Sequence, residues 1–124
     1  MQKDSYIRLL EKTRKYYKTL KKIRCKHINN SYIIFGNSGF THLLIKGRKS
    51  RSINEQFRKL SLIKHIVQII NNDIIKKEIR IIQSKEYGQI EYLALLGKIN
   101  NLIIKIILRK IGNGNYHFWS IMDN

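Results

Sequence analysis

Apolar and polar positions follow a helical period over the first part of the chain. Apolar or aromatic side chains recur every three or four residues from Tyr6 to Leu20, which predicts one amphipathic helix of about four turns. Asp4 or Ser5 is placed to cap its start. Residues 1–28 are therefore expected to form a basic amphipathic helical segment. The opposite face of the helix carries a row of cations: Arg8, Lys12, Lys15, Lys18 and Lys22.

Shorter elements are predicted between residues 32 and 72. Residues 32–35 form a β-branched and aromatic run, which indicates a short strand. Glycines then interrupt the chain, residues 40–45 fit a short helix, and residues 47–52 fit a basic loop. The apolar spacing from Ile53 to Ile70 predicts one or two further helices.

Apolar runs separated by turn residues fill the rest of the chain, from residue 79 to residue 122. The runs cover residues 79–83, 91–99, 102–111 and 116–122. Their short connections predict an antiparallel meander of about four strands. The fold class is therefore α+β, with N-terminal helices packed on a C-terminal antiparallel sheet. The chain contains no proline and no linker-like stretch, so residues 1–124 are expected to form one domain.

The register of the last hairpin can be predicted in two ways. A three-residue loop at residues 112–114 with a bulge would place Arg109 opposite His117, with both side chains on one face of the sheet. A two-residue turn at Asn113 and Gly114 would instead pair His117 with Lys110, and Arg109 would point to the other face. Both registers place a cation beside His117.

The net charge of the chain is strongly positive and unevenly distributed. The chain has 25 Lys and Arg against 8 Asp and Glu, which gives a formal net charge of +17. Residues 1–28 and 46–64 carry most of the excess. Such a charge repels itself unless a polyanion offsets it, and nucleic acid is the first candidate. The longest apolar run, residues 102–108, is too short to span a membrane, and no apolar signal core follows Met1, so a soluble protein is expected.

The candidate chemistry is metal-free. Four histidines are present, but no paired spacing of histidines or carboxylates indicates a metal site, and no phosphate-binding glycine loop or other cofactor motif is present. We therefore expect no cofactor. RNA cleavage needs only a base for the 2′-hydroxyl, an acid for the leaving oxygen and cations for the phosphate. The composition thus favours RNA as a substrate if the protein is an enzyme.

Two stretches of the sequence carry a family resemblance. Residues 39–47 (GFTHLLIKG) are followed by the basic RKSR of residues 48–51 and by NEQFRKL at residues 54–60. Residues 109–122 read RKIGNGNYHFWSIM. Together these stretches resemble the phage and polymorphic-toxin ribonucleases of the barnase, EndoU, colicin and RelE-like group, over about residues 32–122. Members of that group are small, metal-independent ribonucleases with N-terminal helices on an antiparallel sheet, and many cleave tRNA.

The resemblance implies an active surface and a set of partners. His42 and His117 would be the acid and base, and Arg109 would stabilise the transition state. The substrate-binding residues would be Lys46, Lys49, Arg51 and Ser120. The implied function is a metal-independent endoribonuclease, a tRNA-cleaving toxin or phage-associated effector that leaves a 2′,3′-cyclic phosphate and acts in the cytoplasm. The partners would be RNA and an acidic immunity or antitoxin protein.

Simpler interpretations remain open for the protein and for these residues. A non-catalytic RNA- or DNA-binding module would account for the basic segments alone. His42 could be a packed histidine in a short helix, and His117 could serve only cross-strand packing. Glu55 could orient an active-site arginine or act as a base, or it could form a helical salt bridge with Lys59.

Overall fold

The N-terminal helix has the predicted orientation. The structure is a computed structural model, and it describes residues 3–123. Helix α1 spans Lys3–Leu20 and buries Thr13 and Tyr17. The predicted basic row is exposed, but the helix ends at Leu20 rather than near residue 28, so Lys22 lies in the strand that follows α1. The apolar face of the helix therefore packs on the core while its cations face outward.

Two short strands follow α1 where the sequence predicted only one. Strand β1 spans Lys22–Cys25 and pairs antiparallel with β2, which spans Ser31–Ile34. A short 3₁₀ helix, Lys26–Ile28, and two asparagines with positive φ connect them. Asparagine tolerates this left-handed conformation better than most residues. Strand β1 was not predicted because two of its four residues are cations, and cations at these positions also fit the face of a helix.

Three helices and a small hairpin occupy the middle of the chain. Helix α2 spans Asn37–Leu44, and strands β3 (Ile45–Lys46) and β4 (Lys49–Ser50) pair as a hairpin. The predicted basic loop therefore contains part of this hairpin. Helix α3 spans Ile53–Leu62, and α4 spans Ile66–Asn71 after the 3₁₀ turn Ile63–His65.

The C-terminal strands form the predicted meander within a larger sheet. Strands β5 (Lys76–Ser84), β6 (Gly88–Ile99), β7 (Leu102–Ile111) and β8 (Tyr116–Asp123) pair antiparallel in sequence. The sheet order is β1-β2-β8-β7-β6-β5, and β2 runs parallel to β8. The α+β class is confirmed, but within residues 3–123 the sheet has six strands rather than four and is mixed, because β1 and β2 join it across the edge of β8.

The register of the β7–β8 hairpin matches the first of the two predictions. Arg109 lies opposite His117, and the two side chains therefore share one face of the sheet. The turn begins at Gly112, whose φ of 55° favours glycine. Further along, Ile107 pairs with Ser120 while Leu108 pairs with Phe118, so Trp119 is the extra residue of a β-bulge.

The two faces of the sheet have different environments. One face carries the core residues Leu93, Ile106, Leu108 and Phe118, which are buried with apolar residues of the helices. The other face carries polar and half-buried side chains, among them Arg109. The functional groups are therefore expected on this polar face.

No helix in the described part of the chain is long and apolar enough to cross a membrane.

Candidate functional site

A cleft lies where the helices meet the polar face of the sheet. Its volume is about 800 Å³. Strands β5 to β8 contribute one wall, and α2, α3 and the chain between them contribute the other. The ionisable residues on the helical wall are His42, Lys46, Arg51, Glu55, Arg58 and Lys59. Four basic side chains of lysine or arginine, one histidine and one acid therefore face the strands on this side.

The free edge of β8 fixes the position of two of these residues. Strand β2 pairs with β8 only at Tyr116 and His117, so the later edge of β8 has no strand partner among residues 3–123. Helices α2 and α3 pack against β8 there. His42 Nδ1 lies 3.0 Å from the carbonyl oxygen of Trp119, and Lys59 Nζ donates to the carbonyl oxygen of Ile121 at 2.9 Å. Backbone groups of the sheet thus hold both side chains.

The contact with Trp119 also sets the tautomer of His42. A carbonyl oxygen can only accept, so Nδ1 carries the proton and Nε2 of the neutral ring keeps its lone pair. The ring stacks on Trp119 with centroids 4.2 Å apart, and Arg51 Nε donates to the backbone oxygen of His42 at 3.0 Å. Burial, together with the cations Arg51, Lys59 and Lys46, lowers the pKa of His42, against the opposing effect of the hydrogen bond. Both the hydrogen bond at Nδ1 and the lowered pKa therefore fit a neutral ring with an unprotonated Nε2.

Lys59 is a buried lysine with an unusual environment. Only 6% of the residue is exposed, and Nζ also donates to Ser120 Oγ at 3.1 Å. Burial and the nearby Arg51 lower the pKa of Lys59 to about 8, although Glu55 works in the opposite direction. An ammonium group has three protons, and the two contacts with β8 account for two of them. Lys59 is thus a charged donor with a proton that can be lost near neutral pH.

Arg51 is held in place by its neighbours on α3. Its Nη1 donates to Glu55 Oε1 at 2.6 Å, and its backbone oxygen accepts from Gln56 Nε2 at 2.7 Å. Ser52 Oγ in turn caps the helix by accepting from the amide of Glu55. Of the alternatives for Glu55, the structure therefore has it paired with the cleft arginine, and its nearest ion-pair partner is Arg51 rather than Lys59.

A second cavity lies on the other part of the same sheet face. Its volume is about 490 Å³, and it is formed by the β7–β8 hairpin and the start of α2. Arg109 and His117 line this cavity rather than the cleft, and Trp119 lines both. The guanidinium carbon of Arg109 lies 4.4 Å from the centroid of the Trp119 ring. Trp119 thus contacts one candidate from each cavity.

The structure places the predicted site residues in three locations. His42, Lys46, Arg51 and Ser120 line the cleft. Arg109 and His117 line the second cavity, so the two candidate histidines do not share one cavity. Lys49 is exposed in β4 and lines neither, although it pairs with Lys46 in the hairpin.

Sequence reasoning missed Lys59 as a site residue. Gln56, Lys59, Leu60 and Ile63 follow the spacing of one buried helix face, and all four are buried. A lysine at such a position needs polar partners, because burial of an unpaired charge is costly. That mismatch between residue type and position was the available signal.

Comparison of the chain with protein-family models, curated proteins and solved structures finds no match. Within residues 3–123, no three histidine, cysteine, aspartate or glutamate side chains cluster as they would around a metal ion. Any function therefore has to be argued from the geometry of the two cavities.

Proposed function

We propose that the cleft cleaves RNA without a metal ion, by attack of the 2′-hydroxyl on the adjacent phosphodiester. The observation that carries this proposal is the pair formed by His42 and Lys59. A neutral imidazole with a free Nε2 and a buried ammonium with a lowered pKa line the same cleft. Such a pair supplies a base and an acid that both operate near neutral pH.

His42 acts as the general base in this mechanism. Nε2 takes the proton of the 2′-hydroxyl while the 2′-oxygen forms a bond to phosphorus. The hydrogen bond from Nδ1 to the carbonyl oxygen of Trp119 keeps the ring in the required tautomer, and it stabilises the imidazolium that forms.

Lys59 acts as the general acid. It transfers a proton to the 5′-oxygen as the bond between that oxygen and phosphorus breaks. The products are a 2′,3′-cyclic phosphate and a 5′-hydroxyl, and solvent returns the proton from His42 to Lys59. The hydrogen bonds from Lys59 to Ser120 and Ile121 orient the ammonium for this transfer.

Arg51 and Lys46 stabilise the negative charge that develops on the phosphate. Both line the cleft, and the contacts of Arg51 with His42 and Glu55 hold it in a fixed orientation. Preorganised cations of this kind supply a large part of the catalysis in phosphoryl transfer. Catalytic roles for His117 and Arg109 stay predictions, and full activity of a His117→Ala variant would remove that role for His117.

The test is incubation of the purified chain with RNA in EDTA. Cleavage is expected, with cyclic phosphate and 5′-hydroxyl ends, and DNA of the same sequence should stay intact because it lacks the 2′-hydroxyl. Absence of cleavage, or cleavage only after a metal ion is added, would contradict the mechanism. Salt-sensitive binding of intact RNA and DNA, unchanged in the His42 variant, would instead support the non-catalytic binding module.

The biological setting proposed from the family resemblance is a toxin or phage-associated effector. Transfer RNA is then the first substrate to assay. An acidic immunity or antitoxin protein would complement the charge of +17, and it is proposed as the second partner.

A further inference from the structure

Among the residues that the structure describes, no aspartate or glutamate lines the cavity at the β7–β8 hairpin. Its polar lining includes Arg109, His117, Ser38 and two asparagines, and the remaining lining residues are apolar residues and glycines. The cleft differs, because its lining includes Glu55 as well as two acids from the strands. A cavity whose charged lining group is an arginine, with no carboxylate beside it in the described chain, favours an anion.

Arg109 is the main charged group of this cavity. Its Nε is buried and has no hydrogen-bond acceptor among residues 3–123. It forms no salt bridge within that part of the chain. Its guanidinium packs on Trp119, a contact that fixes the plane of the group without using its protons. An anion in the cavity would satisfy donors that the protein leaves unpaired.

Further donors converge on the same cavity from two other elements. His117 lies directly opposite Arg109 in the sheet and is exposed. Helix α2 begins after Gly36 without a side-chain cap, so the amides of its first turn keep free protons. A Cβ on Gly39 would lie 2.3 Å from the carbonyl oxygen of Phe118. Glycine at this position therefore lets the start of α2 lie directly on β8, beside Arg109 and His117.

We propose that this cavity binds one phosphate group, with Arg109 and His117 as its principal ligands and Ser38 as a further donor. The assignment of that phosphate to RNA rests on the proposed function. The phosphate would belong to the same RNA molecule whose neighbouring phosphodiester occupies the cleft. The anion site itself does not depend on cleavage. In this arrangement Arg109 and His117 bind substrate, while His42 and Lys59 perform the chemistry.

The first experiment is a titration of the intact chain with inorganic phosphate, with acetate at equal concentration as the control anion. The readouts are the amide resonances of Ser38 and Gly39 and the fluorescence of Trp119, the single tryptophan of the chain. We expect saturable changes with phosphate. The affinity for phosphate should fall by about tenfold to hundredfold in Arg109→Gln, since hydrogen bonds to charged groups are strong. The matched control is Lys110→Gln, because Lys110 points to the other face and packs on Tyr116.

A second variant guards against misfolding at Arg109. His117 is exposed, so His117→Gln should fold as the wild type does and should also weaken phosphate binding. Unchanged affinity in both variants would overturn the proposal. So would saturable changes that appear only at cleft residues such as Arg51.

The second experiment identifies the source of the phosphate. RNAs of two and six nucleotides are bound to the His42→Gln protein, so that cleavage cannot interfere. The longer RNA is expected to bind more tightly, and Arg109→Gln should remove this gain. A gain that is independent of Arg109 would overturn the assignment to RNA and leave a free phosphate as the ligand. Because neither experiment measures cleavage, failure of the proposed function would be seen separately.

Discussion

The two cavities that meet at Trp119 are built from different kinds of contact. In the cleft, His42 and Lys59 are fixed by carbonyl oxygens of β8, and both pKa values are lowered by burial and by neighbouring cations. In the second cavity, the buried Nε of Arg109 has no acceptor within the described residues 3–123, and His117 is exposed. This difference is the basis on which we propose proton transfer in the cleft and anion binding in the second cavity.

The difference originates at a single strand edge. Strand β2 leaves β8 after His117, and the bulge at Trp119 follows almost at once. Before that point, β2 pairs with the edge of β8. After it, side chains of α2 and α3 form hydrogen bonds with the carbonyl oxygens of that edge. A carbonyl oxygen that would pair with an amide in a regular sheet instead orients a catalytic candidate.

Removal of the base should have the largest effect. His42→Gln is expected to lower kcat by about a hundredfold to ten-thousandfold, the range for loss of a general base. Single-turnover cleavage of a short RNA measures the effect. The matched control is His65→Gln, a half-buried histidine that lines neither cavity and should leave kcat unchanged. If both variants keep wild-type kcat, the assignment of chemistry to the cleft is wrong.

Loss of the buried ammonium should have the next largest effect. Lys59→Gln keeps a donor for the Ile121 oxygen but removes the charge, and we expect a fall in kcat of about a hundredfold to a thousandfold, as for a preorganised donor to the transition state. Lys64→Gln is the control, because Lys64 is exposed on the following 3₁₀ turn. A change confined to KM would show that Lys59 binds substrate and is not the general acid.

The contrast between the cavities also shows what the sequence can predict. The helical period of α1 and the alternating runs of β6 to β8 were sufficient for the α+β class, because each run is long and buried on one face. Strand β1 was missed, since four residues with two cations give little periodic signal. The family resemblance implied His42, Arg51 and His117 as candidates.

The partition of those candidates could not be predicted in the same way. It depends on where β2 leaves β8 and on the bulge at Trp119, and both are long-range features of the sheet. Lys59 was missed because its hydrogen bonds in the cleft come from contact with β8, where Ser120 lies 61 residues further along the chain. Pairings of this kind are set by tertiary packing rather than by local spacing.

The pH profile of cleavage offers a sharper test of the pair in the cleft. Since the pKa of His42 is lowered from 6.5, activity should rise with pH as the ring loses its proton, and the midpoint of this acidic limb should lie below pH 6.5. Since the pKa of Lys59 is about 8, activity should fall above that pH as the acid is lost. Each limb should change by about tenfold per pH unit. The neighbouring charged groups that shift these two pKa values include Lys46, Arg51, Glu55 and Asp123.

The variants assign the two limbs of this profile. Lys59→Gln should abolish the alkaline limb and keep the acidic one, and the Lys64→Gln control should keep both. Persistence of the alkaline limb in Lys59→Gln would show that another group, such as a tyrosine or a second lysine, is the acid.

The smallest effect is expected where the two cavities meet. Trp119→Phe keeps an aromatic ring, but the smaller ring has less contact with His42 and Arg109, each of which packs on the indole. Aromatic contacts contribute about 1 kcal/mol, which corresponds to about fivefold in a rate or an affinity. We therefore expect kcat to fall about fivefold, because the contact with His42 is weakened. We also expect KM to rise by a similar factor, because the contact with Arg109 is weakened. Measurement of both constants on one RNA distinguishes the contributions. A change in kcat alone would mean that Trp119 orients the base and has no part in anion binding, and the two cavities would then be independent.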